Sequence, residues 1–168
     1  IIGAWTEEEF NYDGEFFQYE GVRLMPKPYQ QPRPPIWIGA FAPKAMERAL
    51  NYEGWCLWFP PHVETLGPAA KEMRERAAAK GKEDFQITIG FEGWLSDEPN
   101  IREKHGHRWE REWSFYAEKG LSPDVEGETM LEQIENMFLC LGNKQKWIDR
   151  MGEMKEQVNP DWLCIRTR

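Results

Sequence analysis

The sequence has 168 residues, 40% of them hydrophobic, and a formal net charge of -8. This composition supports one globular core and argues against a nucleic-acid partner or an anionic membrane surface. The chain has no long apolar run and no signal-peptide pattern, and its three cysteines are widely spaced. We therefore expect a cytoplasmic protein with reduced thiols and no membrane span.

The first predicted elements are the end of a helix over residues 1–9 and a β-hairpin. Asp13-Gly14 lies between two aromatic runs, which is a strong hairpin signal. A tight turn of this kind places the glycine at positive φ. We therefore expect Gly14 at positive φ, and Gly14→Val to cost about 1–2 kcal/mol.

A proline-rich segment follows the hairpin. Residues 25–35 contain five prolines, which exclude a helix or an interior strand and favour an extended chain. The apolar run Ile36-Trp37-Ile38 that follows is typical of a strand buried on both faces of a parallel sheet. We predict that a strand over Ile36–Ala40 pairs in parallel with the next one, over Gly54–Phe59.

Helices and strands alternate over the rest of the chain, and this order predicts βαβ units, a parallel sheet and an α/β fold. The predicted strands are Gly54–Phe59, Phe85–Leu95 and Asp161–Thr167. Two helices are predicted between the first of them and its neighbours: one over Lys44–Asn51 with Pro43 in its first turn, and one over Leu66–Lys80 closed by Gly81. Three more helices are predicted before the last strand: an amphipathic one with Trp109, Trp113 and Tyr116 on its core or interface side, one marked by Leu131, Ile134, Phe138 and Leu141, and one capped by Asn143 with Trp147, Met151, Met154 and Val158 on one face.

Five short motifs occur in order within residues 5–55. They are Trp5-Thr6-Glu7, Gly14-Glu15-Phe16-Phe17, Pro26-Lys27-Pro28-Tyr29-Gln30, Pro34-Pro35-Ile36-Trp37-Ile38-Gly39-Ala40 and Glu53-Gly54-Trp55. Together they resemble the C-terminal half of the luciferase-like monooxygenases, which are flavin- or deazaflavin-dependent TIM-barrel oxidoreductases. The resemblance implies a partial (β/α)8 TIM barrel, strands five to eight with their helices, preceded by a β-hairpin excursion, with residues 1–168 as the C-terminal half of one barrel domain.

The resemblance also implies a function: the C-terminal part of a flavin-dependent monooxygenase acting on a small organic substrate. The implied cofactor is FMN, with the deazaflavin F420 as the alternative, and we do not expect this chain alone to retain it. A complete barrel needs about 250 residues, so we expect an oligomer, with the N-terminal half of the barrel or a second copy of the chain as partner. The alternative function is a non-catalytic half-barrel binding or assembly subunit. Its interaction surface would consist of aromatic residues near the strand ends: Trp55, Trp58, Phe59, Phe91 and Trp94.

The cofactor site implied by the resemblance lies after strands five and six, where backbone amides would hold a phosphate. The candidates are Gly39, Ala40 and Phe41. Ala40 replaces the family's usual second glycine, Phe41 is bulky, and Pro60-Pro61 lacks two backbone donors, so we expect weak phosphate binding.

The candidate substrate pocket consists of Trp58, Glu92, Trp94 and Arg166, because chemistry in TIM barrels occurs at the C-terminal ends of the strands. Glu92 is either a general base or, as is more common, a solvated loop residue. Arg166, with Arg168, either grips an anionic substrate or belongs to a charged chain end. No catalytic residue is assigned.

A metal site is not predicted. His105 and His107 are two positions apart, whereas two ligands on one helix face need i, i+4 spacing.

Overall fold

The computed structural model describes residues 1–58, 63–120 and 125–167. The predicted strand end at Phe59, the Pro60-Pro61 pair and Arg168 lie outside the described residues. The chain divides into two compact units, Ile1–Ile36 and Trp37–Arg168. No helix in the part of the chain that the structure describes is long and apolar enough to cross a membrane.

The first unit contains a short helix, α1 (Ile2–Thr6), and the predicted hairpin, β1 (Phe10–Asp13) and β2 (Gln18–Val22). The strands are antiparallel, with Asp13 opposite Gln18. The N–H of Gly14 donates to the carbonyl of Phe17 at 3.0 Å. The hairpin prediction is confirmed, but its loop has four residues and is not the tight turn that was expected at Asp13-Gly14.

The expected backbone conformation of Gly14 is wrong. Gly14 is not at positive φ, whereas Gly21, within β2, has φ +64°. Between the pairs Phe10–Val22 and Tyr12–Tyr19, β2 has one residue more than β1, which is a β-bulge. Asn11 Oδ1 accepts a hydrogen bond from the Gly21 N–H at 2.7 Å. The four-residue loop reverses the chain without a tight turn, and the left-handed residue occurs at the bulge.

Replacing Gly21 with alanine should therefore destabilise the protein by about 1 kcal/mol, because an L side chain at such a φ is strained. The same change at Gly14 should cost less than about 0.5 kcal/mol, since a new Cβ there meets only the half-exposed ring of Tyr12. Thermal unfolding of both variants compares the two costs. A greater loss for the Gly14 variant would contradict the bulge assignment.

The second unit is built on a parallel sheet of five strands: β3 (Trp37–Gly39), β4 (Gly54–Trp58), β5 (Gln86–Leu95), β6 (Leu139–Gly142) and β7 (Trp162–Thr167). β4 lies between β3 and β5, with Ile38 opposite Trp55. β7 pairs with Thr88–Gly93 of β5, and β6 pairs with Glu92–Leu95. The predicted parallel pairing of β3 and β4 is confirmed, and β3, β4, β5 and β7 are the four predicted strands.

The strand after the proline segment is shorter and less buried than predicted. β3 has three residues, and Ile36, Trp37 and Ile38 are half-buried. β3 ends the strand order, so β4 is its one strand neighbour within the described residues. Ala40, just beyond the strand, is buried, and its carbonyl accepts a hydrogen bond from Trp55 Nε1 at 2.7 Å.

Six helices of the second unit lie within the described residues: α2 (Pro43–Ala49), α3 (Val63–Ala78), α4 (Ile101–His105), α5 (His107–Glu118), α6 (Met130–Met137) and α7 (Lys144–Gln157). Their ends follow the local chemistry of the sequence. Pro43 occupies the first turn of α2, and Gly81, after α3, has φ +74°. Asn143 Oδ1 caps α7 by accepting from the Lys146 N–H at 3.0 Å.

The predicted helix through Leu141 ends early. α6 stops at Met137, and Leu139–Gly142 form β6 instead. β5 extends beyond Gly90, the last residue that pairs with β4, and the exposed backbone needs partners. The N–H of Glu92 donates to the carbonyl of Phe138 at 2.9 Å. The helical spacing of the apolar residues is thus overridden by strand pairing.

Candidate active site

The face of the sheet opposite α7 is the inner face. On β5, Phe91 contacts Trp147 of α7 edge-on, with ring centroids 5.7 Å apart, so residues two apart from Phe91 point toward α7. Their neighbours along the strand point to the inner face. Following the registers of β3, β4, β5 and β7, the inner-face residues of these four strands are Trp37, Gly39, Gly54, Cys56, Trp58, Gln86, Thr88, Gly90, Glu92, Trp94, Trp162, Cys164 and Arg166.

The N-terminal end of the inner face is aromatic. The rings of Trp37 and Trp162 lie 6.1 Å apart, and Trp162 Nε1 donates to Gln86 Oε1 at 3.2 Å. Trp162 nevertheless remains 53% exposed. This end of the inner face is therefore only partly covered by the chain's own residues.

The middle of the inner face carries two free cysteines, Cys56 and Cys164. Burial raises the pKa of the Cys56 thiol, and the proximity of Cys164 raises it further. The third cysteine, Cys140 on β6, has its pKa raised to about 11, chiefly by burial. A thiol with a raised pKa is a poor nucleophile at neutral pH, so neither Cys56 nor Cys140 is suited to nucleophilic catalysis.

Trp58, at the end of β4, lies over Gly90 of β5. A Cβ at position 90 would come within 2.1 Å of the Trp58 ring. Gly90 therefore allows the indole to lie flat against the strand, and a side chain there would push it into the space in front of the sheet. No pattern in the sequence singles out Gly90.

Glu92 is a buried carboxylate in the sheet and not a solvated loop residue. It is 1% exposed, and its Oε2 accepts a hydrogen bond from Trp109 Nε1 at 3.0 Å. Its Oε1 forms an ion pair with Arg166, which lies directly opposite it on β7. Glu92 thus links β5 to α5 and to β7, so the interpretation of this residue as a solvated glutamate is wrong.

Arg166 contacts a second carboxylate as well. Its Nη2 donates to Glu112 Oε1 of α5 at 3.1 Å. Burial by itself would lower the pKa of Arg166, but the hydrogen bonds to Glu92 and Glu112 raise it above its ordinary value. Arg166 is therefore an ordered strand residue and not part of a charged chain end.

Glu112 is a site residue that the sequence reasoning missed. It lies three positions after Trp109 on α5, so the two side chains share a helix face. Trp109 was identified in the apolar stripe of that helix. The sequence did contain a signal for it, because Glu112 is an acidic residue on the otherwise apolar face of α5.

The indole of Trp94 contacts groups of the chain itself. It stacks on the His105 ring at a centroid distance of 4.1 Å and an angle of 16°. The guanidinium of Arg108 lies 5.1 Å from the ring centroid, a cation–π distance. Trp94 therefore connects β5 to the junction between α4 and α5.

The three candidate cofactor residues follow one another at the C-terminal end of β3. Gly39 is exposed, and a Cβ there would find open space, with the Cys56 carbonyl as its nearest neighbour at 3.9 Å. Ala40 is buried, whereas Phe41 is 55% exposed. The strand end therefore offers an uncovered backbone at Gly39, with a bulky ring two residues later.

The candidate site residues all lie in the C-terminal halves or at the C-terminal ends of parallel strands. The structure brings Glu92 and Arg166 into direct contact and adds Trp109 and Glu112 to them. Within residues 1–58, 63–120 and 125–167, no group of three or more histidine, cysteine, aspartate and glutamate side chains is placed to hold a metal ion.

Two curated relatives are similar in sequence to this chain. An FMNH2-dependent dimethylsulfone monooxygenase of Pseudomonas putida is 32% identical over 95 residues, which is 56% of this chain and 25% of that enzyme. A sulfoquinovose monooxygenase of Agrobacterium fabrum is 33% identical over 81 residues, 47% of this chain and 21% of that enzyme. The matches therefore span about a quarter or less of each relative's length.

Solved structures share the fold at low sequence identity. An F420-dependent secondary alcohol dehydrogenase, solved with an F420-acetone adduct, aligns with 98% of this chain at a TM-score of 0.75 and 14% identity. An EDTA monooxygenase from Chelativorans sp. BNC1 aligns with 99% of it at a TM-score of 0.67 and 13% identity. The chain covers 52% of each of these two proteins.

The sequence model of the family described as luciferase-like monooxygenase matches residues 1–156. This match agrees with the parallel sheet, the hairpin before it and the coverage of about half of each solved barrel. The chain belongs to the luciferase-like monooxygenases, and its sheet contains strands five to eight of a partial (β/α)8 barrel.

Proposed function

We propose that this chain is the C-terminal part of a flavin-dependent monooxygenase that oxidises a small organic substrate. The observation that carries the proposal is the family match over residues 1–156. The inner face supports it, because aromatic side chains there surround a few polar groups, as in pockets for small molecules. The chemistry belongs to the cofactor, and the chain supplies binding, orientation and protection from water.

FMN is the cofactor that we propose, with the deazaflavin F420 as the alternative. The relative named as FMNH2-dependent is 32% identical over 95 residues of this chain, whereas the F420-dependent neighbour is 14% identical and supports only the fold. Reduced flavin would supply the electrons for the reaction with O2. The uncovered backbone at Gly39 fits close approach of a phosphate, with Ala40 and Phe41 as the adjoining residues.

The proposed substrate pocket consists of Trp58, Glu92, Trp94 and Arg166. Trp58 would form an apolar wall, because Gly90 lets its ring lie against the sheet. Glu92 would hold the Arg166 guanidinium in position, since it is buried and paired with it. Arg166 would then donate a hydrogen bond to the substrate.

The rest of the barrel is the proposed partner: strands one to four of the N-terminal half, or a second copy of the chain. Trp162, on the inner face, is 53% exposed and would be covered by such a partner. We propose that the protein acts in the cytoplasm as an oligomer, and that this chain alone does not retain FMN. A purely structural half-barrel is less well supported, because Trp55 and Phe91, two of its proposed surface aromatics, are buried.

The test compares the 168-residue chain alone with the same chain joined to a segment that supplies barrel strands one to four. This longer protein is called the joined form. Each is titrated anaerobically with reduced FMN, and binding is followed by fluorescence, with sedimentation for the oligomeric state. We expect micromolar binding by the joined form and little or none by the chain alone. Absence of binding by the joined form would contradict the proposed function, and tight binding by a monomer of the chain alone would contradict the need for a partner.

A matched pair of variants locates the cofactor. Gly39→Val should weaken FMN binding in the joined form by about tenfold (about 1.4 kcal/mol), because its methyl groups fill the open space at the strand end. Gly152→Val, in α7, also adds a side chain where no atom lies within 4 Å. We expect no effect on FMN binding from this control.

A further inference from the structure

Two indoles meet across the N-terminal end of the inner face. Trp37 lies on β3 and Trp162 on β7, and β4 and β5 lie between these two strands in the sheet. Three strand spacings correspond to about 14 Å, yet the two ring centroids are 6.1 Å apart. The sheet is therefore curved at this end, and the two rings lean across it toward each other.

The strands between the two indoles leave room for them. β4 contributes Gly54 at the register position of Trp37, and a Cβ there would come within 2.5 Å of the Trp37 ring. β5 contributes Gln86, whose Oε1 accepts the hydrogen bond from Trp162 Nε1 at 3.2 Å. The glycine therefore lets the Trp37 ring lie over β4, and the glutamine holds the Trp162 ring.

The next inner-face residue of β5 is already shielded from water. Thr88 follows Gln86 on this face and lies opposite Trp162 of β7. It points to the side of the sheet where the rest of a barrel belongs, yet it is 1% exposed. The chain's own side chains therefore occupy much of the barrel interior at this end. One side is left open, since Trp162 is 53% exposed.

A second copy of the chain does not fit against this end. Two copies that close one barrel are related by a two-fold axis along the barrel, so each residue lies at the same level as its counterpart. Trp37 and Trp162 would then face a second Trp37 and a second Trp162. The interior of an eight-stranded barrel is just wide enough for side chains to fill, and its layers consist mostly of Val, Ile and Leu. Because all the indoles of both copies exceed that space, such a barrel would be overpacked and destabilised.

The charge of the chain acts in the same direction. Its formal net charge is -8, so two copies closed into one barrel would bring twice that charge together. A net charge far from zero keeps proteins monomeric and opposes compact assembly through self-repulsion. A partner of different sequence can carry fewer acidic residues and avoid this repulsion.

We propose that the inner face of this half accepts strands of a different sequence and excludes a second copy, because the partner must present small side chains, such as glycine, alanine or serine, opposite Trp37 and Trp162. The inference rests on the partial barrel of the proposed function. It selects between the two partners named there: barrel strands one to four, and not another copy of strands five to eight. The exposed part of the Trp162 indole is the surface on which that partner packs. The inference concerns the closure of one barrel and not contacts between complete barrels.

Fluorine NMR of protein labelled with 5-fluorotryptophan tests the inference. The label enters every tryptophan, and the Trp162→Phe variant, with Trp162→Tyr as the second choice, identifies the Trp162 resonance by its absence. The change in its chemical shift between H2O and D2O measures the exposure of the indole to solvent. We expect a large solvent shift for Trp162 in the chain alone at every concentration, and the loss of most of that shift in the joined form.

Trp55 is the internal control for this measurement. Its side chain is 2% exposed, and its Nε1 donates to the Ala40 carbonyl. Trp55→Phe identifies its resonance, which should show little solvent shift in either form. Sedimentation of the chain alone at the same concentrations gives its oligomeric state.

The outcomes separate the two proposals. A joined form that protects Trp162 but binds no reduced FMN overturns the proposed function and leaves this inference standing. A Trp162 resonance that stays exposed in the joined form overturns the inference, and so does a dimer of the chain alone in which that resonance becomes protected as the concentration rises. A dimer of the chain alone with an exposed Trp162 supports it, because that dimer forms through another surface.

Discussion

Replacing Arg166 with methionine is expected to lower the free energy of unfolding by about 3 kcal/mol, because it removes the cation from an ion pair whose carboxylate is shielded from water. The charge left behind is that of Glu92, which is 1% exposed. Trp109 Nε1 still donates to it, but one neutral donor does not replace a cation. Urea unfolding measures the loss.

Arg108→Met is the matched control for this prediction. Arg108 is also a cation of the α5 region, but it is exposed and contacts the Trp94 ring, an interaction worth about 0.5–1 kcal/mol at exposed sites. The double variant Arg166→Met with Glu92→Gln should recover part of the loss, since the buried charge is then gone. Equal losses for Arg166→Met and Arg108→Met would show that Glu92 does not depend on Arg166.

The main strands could be predicted because their apolar runs have few alternatives. Ile36-Trp37-Ile38 follows prolines that exclude a helix, and the run in β4 begins at a glycine and is too short for a buried helix. Local chemistry also fixed the helix ends at Gly81 and Asn143, where a left-handed glycine and a capping side chain occur as expected. These features depend only on residues near in sequence.

The features that escaped prediction depend on residues far apart in sequence. β6 forms because β5 is longer than β4 and its last residues need another strand to pair with. The relative lengths of β4 and β5, which are joined through a helix, therefore decide whether β6 forms. The environment of Glu92 depends on Trp109 and Arg166, 17 residues and 74 residues away along the chain, and the sequence offers no sign of their approach. The prediction of a positive φ at Gly14 is wrong for a related reason, because the length of the hairpin loop depends on the pairing of both strands.

For the candidate site, too, some features could be predicted from nearby residues and others could not. Its location at the C-terminal ends of parallel strands follows from the fold, and Trp58, Trp94 and Arg166 were identified on that basis. Their roles do not follow, since each depends on its contacts: Trp58 lies on Gly90, and Arg166 is held by Glu92 and Glu112. Position could be inferred from sequence, but chemical role required the tertiary contacts.

The end of α6 provides the second large expected effect. α6 gives way to β6 after a single residue, Phe138, with no glycine to close the helix. The last carbonyls of a helix need donors from elsewhere. Arg150 of α7 supplies them, because its Nη2 lies 3.4, 3.2 and 3.0 Å from the carbonyl oxygens of Glu135, Asn136 and Met137.

Arg150→Met should therefore destabilise the protein by about 2–3 kcal/mol, the cost of removing a charged donor from part-buried acceptors together with its favourable interaction with the helix C-terminus. The Arg150 side chain is 17% exposed, so water replaces it poorly. Arg150→Lys keeps the charge but loses the planar donor group, and we expect it to recover about half of the loss.

Arg76→Met is the control, because Arg76 forms ion pairs on the exposed surface of α3. This replacement should cost less than about 1 kcal/mol. Urea unfolding of the three variants ranks these costs, and hydrogen exchange at the amides of β6 locates the effect. Unchanged protection of β6 in Arg150→Met would show that the end of α6 holds without the arginine.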